Sequence, residues 1–234
     1  MAGEFVESLG GEILGGLCKR ATAITISPST HQVGVDEDKI KTLSPHLLMA
    51  YSGEPDSHWA QERGLTQVSG AFPFSRDIYP ISFLTQPTLA GDTVQFAEYV
   101  ERNIRLYQIR NLYPLRPSAA AAWIRKALAD SLRSRKPYSV NLLLGGYDTA
   151  TFDPHLYWID YLGTMTEVPF AAHGYGAYFA LSLLDRYHDP SASLEEGIAT
   201  LKRCLDEVSK RLVVSPGKYK VKVVDKDGVR EIEI

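Results

Sequence analysis

The stretch Ser139-Val-Asn-Leu-Leu-Leu-Gly-Gly-Tyr-Asp148 leads to Leu156-Tyr-Trp-Ile-Asp-Tyr-Leu-Gly163, and then to His173-Gly-Tyr-Gly-Ala-Tyr-Phe-Ala-Leu-Ser-Leu-Leu-Asp185. The unbroken apolar run Leu142 to Leu144 suits a strand covered on both faces. The pattern predicts strands over 139–147 and 156–162, with Asp148 to His155 as the turn and Asp153-Pro154 as its punctuation. The second strand mixes aromatic residues with Asp160 and is expected nearer a surface. Gly145-Gly146 reads as a strand-end turn, and no helix comes after it to make a phosphate loop. Gly174-Tyr-Gly176 steps into a helix with Ala177, Leu181 and Leu184 in register.

Working outward, Asp92 is a candidate helix cap, and Ala97, Val100, Ile104 and Tyr107 recur at spacings of three and four. Pro117-Ser118 opens a second helix with Ala120, Ile124, Ala127 and Leu128 on one side. Arg125, Lys126, Arg133, Arg135 and Lys136, on its other side and just past its end, make a solvated basic face. The connector Asn111-Leu-Tyr-Pro-Leu-Arg-Pro117 holds two helix-breaking prolines, so the helices are predicted to lie antiparallel. Downstream, Ser193 and Glu196 make a capping box before the stripe Leu194, Ile198, Leu201, Leu205, Val208, Leu212. Tyr219, Val221 and Val223 alternate with lysines as a half-buried strand over 218–224. After it come a turn at Asp225 to Gly228 and a strand over 229–234. Strands are also expected at 21–27, 31–35 and 47–51. Paired helices alternating with paired strands point to a layered α/β (α+β) sandwich rather than a doubly wound sheet.

A chain of 234 residues with 44% hydrophobic content has enough apolar material for one substantial core, so residues 1–234 are expected to form a single domain. A net charge of -3 argues against nucleic acid and anionic membrane surfaces as partners. Cys18 and Cys204 do not make a disulfide framework, which suits a reducing compartment. No apolar run approaches the roughly 18 residues of a membrane span. Residues 1–17 are glycine-rich with Glu4, Glu7 and Glu12, unlike a secretory signal. His46, His58, His155, His173 and His188 are scattered without ligand spacing, so neither a metal nor another cofactor is expected.

Two segments break the pattern. Residues 1–17 show neither period. Residues 55–89 are interrupted by Pro55, Pro73, Pro80 and Pro87, with Trp59, Phe72, Phe74, Ile78 and Phe83 in no rhythm, and are expected to be a disordered insertion.

With these residues in view, the chain resembles the beta subunits of the proteasome 20S core particle, and within them the non-catalytic type 2 subunits. The matching runs are Gly91-Asp-Thr-Val-Gln-Phe-Ala-Glu-Tyr99, Asn141-Leu-Leu-Leu-Gly-Gly-Tyr-Asp148, Tyr161-Leu-Gly-Thr164, Gly174-Tyr-Gly-Ala-Tyr-Phe-Ala-Leu-Ser182, Asp185-Arg-Tyr187 and Val221-Lys-Val-Val-Asp-Lys-Asp-Gly228. The likeness touches Asp36-Glu-Asp-Lys-Ile40 and Leu48-Met-Ala-Tyr-Ser-Gly-Glu54, stops there, and resumes at Ala90. Removing residues 55–89 joins Ser-Gly-Glu to Ala-Gly-Asp as in the family, as if an intron had been retained in frame. The family's opening hairpin, with its Gly-x-x-Gly-x-Asp pattern, is replaced by residues 1–17.

The resemblance implies a four-layer αββα sandwich of the N-terminal-nucleophile hydrolase type, with the first hairpin missing or altered. It implies association with other proteasome beta and alpha subunits in stacked seven-membered rings, in cytoplasm and nucleus, for ubiquitin-dependent protein degradation. Active members use an N-terminal threonine whose hydroxyl attacks the scissile carbonyl. Lys39, Ser52, Gly53 and Asp185 fall at positions of that apparatus, but no Gly-Thr processing site precedes the first strand, and no catalytic residue is expected. Tyr175 stands where active members carry serine, and Cys18 near an aspartate position. Lys39 beside Asp36 and Asp38 also reads as an exposed charged turn, and Asp185 as a structural hydrogen-bond or ion-pair former. Two alternatives remain: a hydrolase using Cys18 exposed by cleavage after Leu17, where Lys19-Arg20 offers charge but no base, or a non-assembling isoform. Cys204 reads as an ordinary buried thiol.

Overall fold

The computed structural model describes residues 14–19, 22–28, 31–32, 35–36, 39–52, 92–134, 137–174, 176–211 and 219–232. Expectations placed on residues 1–13, Gly53, 55–89, Tyr175 and Leu212 lie outside the described residues. In chain order the strands are β1 (Leu14–Lys19), β2 (Thr22–Pro28), β3 (His31–Gln32), β4 (Val35–Asp36), β5 (Ile40–Ser44), β6 (Leu47–Ser52), β7 (Asn141–Asp148), β8 (Asp153–Ile159), β9 (Met165–Glu167), β10 (Phe170–His173), β11 (Tyr219–Asp225) and β12 (Gly228–Ile232). The helices are α1 (Asp92–Asn111), α2 (Pro117–Leu132), α3 (Ala177–Tyr187) and α4 (Leu194–Arg211).

Two antiparallel sheets carry the fold, one ordered β5-β6-β7-β8-β9 and the other β10-β1-β2-β11-β12. The alternation of side chains along each strand assigns the layers. Leu47, Met49 and Tyr51 of β6, with Leu142 and Leu144 of β7, pack against Phe96, Ala97, Val100 and Ile104 of α1 and Ile124 and Leu128 of α2. The intervening residues Leu48, Ala50 and Leu143 face the other way, meeting Ala171 and Val224 of the second sheet. Val221 and Val223 of β11 then face α3 and α4 through Ala180, Leu184, Leu201 and Val208. Helices, sheet, sheet, helices: the molecule is an αββα sandwich. This is why β6 is buried along its whole length and why Leu142 to Leu144 had to be apolar without a break.

The helix signals were well placed. Pro117 occupies the first turn of α2, where its missing N–H costs nothing. The capping box forms, with Ser193 N–H donating to Glu196 Oε2 at 2.7 Å and Glu196 N–H donating to Ser193 Oγ at 3.3 Å. In α3 the buried positions are Ala177, Ala180 and Leu184, while Leu181 is exposed. Two of the three expected positions thus face the core, and Ala180 takes the place expected of Leu181.

Two readings are corrected. The hairpin turn is shorter than expected: Asp153-Pro154 opens β8, and the Phe152 N–H closes residues 149–152 on Asp148 O at 2.8 Å. Gly145 and Gly146 are not a strand-end turn but lie inside β7, opposite Leu156 and His155. A Cβ at Gly146 would stand 2.8 Å from Pro117 Cγ and 2.9 Å from Leu47 Cδ1, so glycine is demanded by the seating of α2. The first hairpin, expected to be missing or altered, has a paired hairpin in its place. β1 pairs β2 from Gly15↔Ile26 to Lys19↔Thr22, and its other edge pairs β10.

Gly146→Ala is expected to destabilise the protein by about 1–3 kcal/mol through overpacking against Pro117. Urea denaturation at equilibrium measures it. An unchanged midpoint would show that α2 seats without that contact.

Candidate functional site

Strand pairing brings two of the sequence-predicted residues together. Lys39 immediately precedes β5, half-buried, and its carbonyl accepts the Tyr51 N–H at 3.2 Å. Ser52 is the next residue of β6, buried, and pairs in register with Asn141 of β7. Lys39 and Ser52 thus share one end of the β5–β9 sheet. Asp185 lies elsewhere, exposed on α3 in the outer helical layer over the other sheet, with no ion pair among the described residues.

Sequence reasoning missed two polar side chains that stiffen this end. The lysines of β11 read as a solvated face, yet Lys222 is buried between the sheets, and its Nζ donates to Ile40 O at 2.6 Å. The reason is the two-sided cover: Lys222 and Val224, on the face of β11 opposite Val221 and Val223, meet the first sheet and not water. His173, at the end of β10, crosses the same layer and donates from Nε2 to Leu142 O at 3.3 Å while stacking on Trp158, ring centroids 5.3 Å apart. A histidine after two alanines in an edge strand carries no sequence signal for such a role. These bonds hold the first residue of β5 and the second of β7, beside Lys39 and Asn141.

Gly163-Thr164 lies in the β8–β9 turn, with Gly163 at φ 78° and the Thr164 N–H donating to Asp160 Oδ1 at 2.7 Å. Cys18 sits inside β1, opposite Ala23, with Leu14 to Leu17 upstream paired to β10. Cleavage after Leu17 would strip that stretch from the sheet. Cys204 is buried, its Sγ 3.9 Å from Ala180 O, and burial pushes its thiol up to about 11, which matches an inert core cysteine.

The Proteasome subunit family model matches residues 78–224. The chain is 45% identical over 197 residues to the probable proteasome subunit beta type-4 of Neurospora crassa, covering 84% of this chain and 80% of that protein. It is 42% identical to the proteasome subunit beta type-4 of Saccharomyces cerevisiae, covering 84% and 82%. It is also 42% identical to the proteasome subunit beta type-2-B of Arabidopsis thaliana, covering 83% and 79%. The chain belongs to the proteasome subunit family. It is a beta-type member, and the αββα sandwich is the family's N-terminal-nucleophile hydrolase fold. Relatives carry both type numbers, so the resemblance to type 2 narrows no further than the beta branch.

In this proteasome subunit, burial pushes the His173 imidazole down to about 4 from 6.5, against weaker upward pulls from its bond to Leu142 O and from the Asp160 carboxylate. A depressed histidine contributes stability that is complete above pH 6.5 and is lost as pH falls toward 4, because the unfolded chain then binds the proton that the folded one refuses. The displacement corresponds to about 3 kcal/mol. Denaturation of wild type and His173→Phe at pH 7 and pH 4.5 is expected to show the wild type losing about 2–3 kcal/mol more than the variant. Equal losses would mean that His173 titrates as it does in the unfolded chain.

Proposed function

We propose that this chain is a non-catalytic wall subunit of the proteasome core particle, of the branch numbered type 4 in the fungal relatives and type 2 in the plant ones. The observation that carries the non-catalytic reading is the opening of the fold. β1 holds Cys18 in mid-pairing, while the chain's one Gly-Thr pair is spent on a turn. Lys39 and Ser52 stay together as the frame of the family's site, with no N-terminal nucleophile beside them among the described residues and Asp185 in another layer. The type assignment rests on the equal identity, 42%, to relatives bearing either number.

In this reading residues 1–234 are one proteasome-type domain that helps to close the chamber in which other subunits cut peptides. Its neighbours are beta and alpha subunits in stacked seven-membered rings, met through the α1–α2 pair and the C-terminal strands. The place of work is cytoplasm and nucleus, and 55–89 is an insertion into the family pattern.

The test begins with tryptic mass spectrometry of core particles purified from nuclear and cytoplasmic fractions. Cleavage after Lys41 and Arg63 releases a peptide from Thr42 to Arg63 if this chain is assembled. If assembled particles contain only a peptide running from Thr42 through Glu54 into Ala90 and on to Arg102, the subunit function belongs to a shorter chain. Within particles that contain this chain, Cys18→Ser is expected to leave every peptidase activity unchanged. Loss of one activity, or labelling of Cys18 by an electrophilic peptide on a newly cut N-terminus, would establish the cysteine-hydrolase alternative.

A further inference from the structure

The segment Tyr107-Gln-Ile-Arg-Asn-Leu-Tyr113 carries two phenols six residues apart. A continuing helix would set them about 240° apart around its axis, where they could not meet. The end of α1 prevents this. Leu112 takes a left-handed backbone at φ 63° and donates its N–H to Gln108 O at 2.8 Å, a closure that ordinarily uses glycine or asparagine. The chain turns back on itself there, and Asn111 Nδ2 donates to Tyr107 O at 2.8 Å. Tyr107 Oη then donates to Tyr113 Oη at 3.0 Å, and the two rings meet edge to face with centroids 5.8 Å apart and planes at 85°. A bulky residue in left-handed backbone persists only where its surroundings hold it, and Leu112, 90% exposed, is not held by burial. The tyrosine pair and the Asn111 bond hold it instead.

The arrangement suits one kind of chemistry. Tyr107 is half-buried and Tyr113 is 56% exposed, so an oxidant in solution can reach the pair. The hydrogen bond with Tyr113 pushes the Tyr107 phenol above its usual range, which keeps its proton in place at neutral pH. A phenol that gives up an electron must also give up that proton, and Tyr113 Oη stands within hydrogen-bond reach to accept it and pass it to water. In a biphenyl joined ortho to both hydroxyls, the two oxygens flank the new bond. Here the oxygens are already in contact and the ring planes already crossed, so the remaining approach is a closing of Tyr113, on the exposed connector, onto Tyr107.

We propose that Tyr107 and Tyr113 form an oxidative cross-linking site, where a one-electron oxidant of the haem-peroxidase or peroxyl-radical class joins the two rings by a carbon–carbon bond. Each phenol loses one electron to the oxidant and its hydroxyl proton to water. The two phenoxyl radicals couple at the ring carbons ortho to oxygen, and the hydrogens on those carbons move to the oxygens, restoring both phenols. The net change is the loss of two electrons and two protons, taken by two equivalents of oxidant and by water. The link fastens the last turn of α1 to the connector. Arg116 of that connector donates from Nε to Asp148 Oδ2 at 3.0 Å, so the staple is continuous with the β7–β8 turn. The site is independent of the subunit reading above.

The test exposes the dilute full chain to photo-generated tris(bipyridyl)ruthenium(III) with persulfate, followed by denaturation and trypsin. Cleavage after Arg105, Arg110 and Arg125, with the Arg116-Pro117 bond resisting, releases peptides 106–110 and 111–125. They are expected to appear joined at Tyr107 and Tyr113, at their summed mass less two hydrogens. Unfolding the chain in urea before oxidation is expected to lower the yield of the joined pair about tenfold, because the rings then meet only by chance. Tyr107→Phe and Tyr113→Phe are each expected to abolish it. Oxidation of Tyr178, 79% exposed, reports that the oxidant was delivered. Absence of the joined peptides while Tyr178 is oxidised overturns the proposal. So does an equal yield from folded and urea-unfolded chains, or a joined pair that persists in either phenylalanine variant.

Discussion

The layer between the two sheets is the constraint on which everything else depends. A sheet covered on both faces has no solvated side, so every position in its middle strands must be apolar or find a polar partner in the dark. β6 and β7 meet the demand with Leu47 to Tyr51 and Leu142 to Leu144. The exceptions, Lys222 and His173, each reach across to a backbone carbonyl of the opposite sheet. At the far end the sheets meet through their turns, where His46 Nδ1 lies 3.1 Å from Asp225 O and the Val229 N–H donates to Pro45 O at 3.0 Å. The sheets are thus joined by polar contacts at both ends, with apolar packing between. Removing one partner of such a contact leaves a buried group unsatisfied, which costs more than the bond itself contributes.

How much of this was legible depends on how local each signal is. The helices announced themselves because Val100, Ile104, Ile124 and Leu128 recur at helical spacing and because Ser193-x-x-Glu196 caps its helix with neighbours in the chain. β6 to β8 were legible as long apolar runs. What failed was set by distant residues. Gly145-Gly146 has the local look of a turn, and only the arrival of Pro117 explains a glycine in mid-strand. Lys222 looks solvated until the first sheet covers it. β9 and β10 are too short to show a period, and Gly15-Gly16 removes the alternation that would have marked β1. The candidate site was half legible for the same reason. Lys39 and Ser52 become neighbours through the pairing of β5 with β6, which their short connection dictates. Asp185 was carried over by likeness in sequence, and its layer could not be read from the chain.

Family membership and geometry bear on the reaction in different ways. Likeness to beta subunits across most of the chain establishes the scaffold. Whether a scaffold of this type cuts peptides depends on what begins its first strand, since the nucleophile and its α-amino group are one residue. Here the first strand is held on both edges, by β2 and by β10, and its cysteine lies within the ladder. The same pairing keeps the sheet whole despite an altered opening sequence.

The sheet margins decide how such a molecule meets others. β9 and β10 have three and four residues, β5 is broken by an irregularity between Thr42 and Ser44, and β12 carries Arg230 and Glu231. Short, kinked or charged margins offer no template for another strand. Association through a shared ladder is therefore discouraged on every side, and growth into an open fibre with it. Margins of this kind leave side chains, rather than the open-ended hydrogen bonding of β structure, to set how many copies can come together.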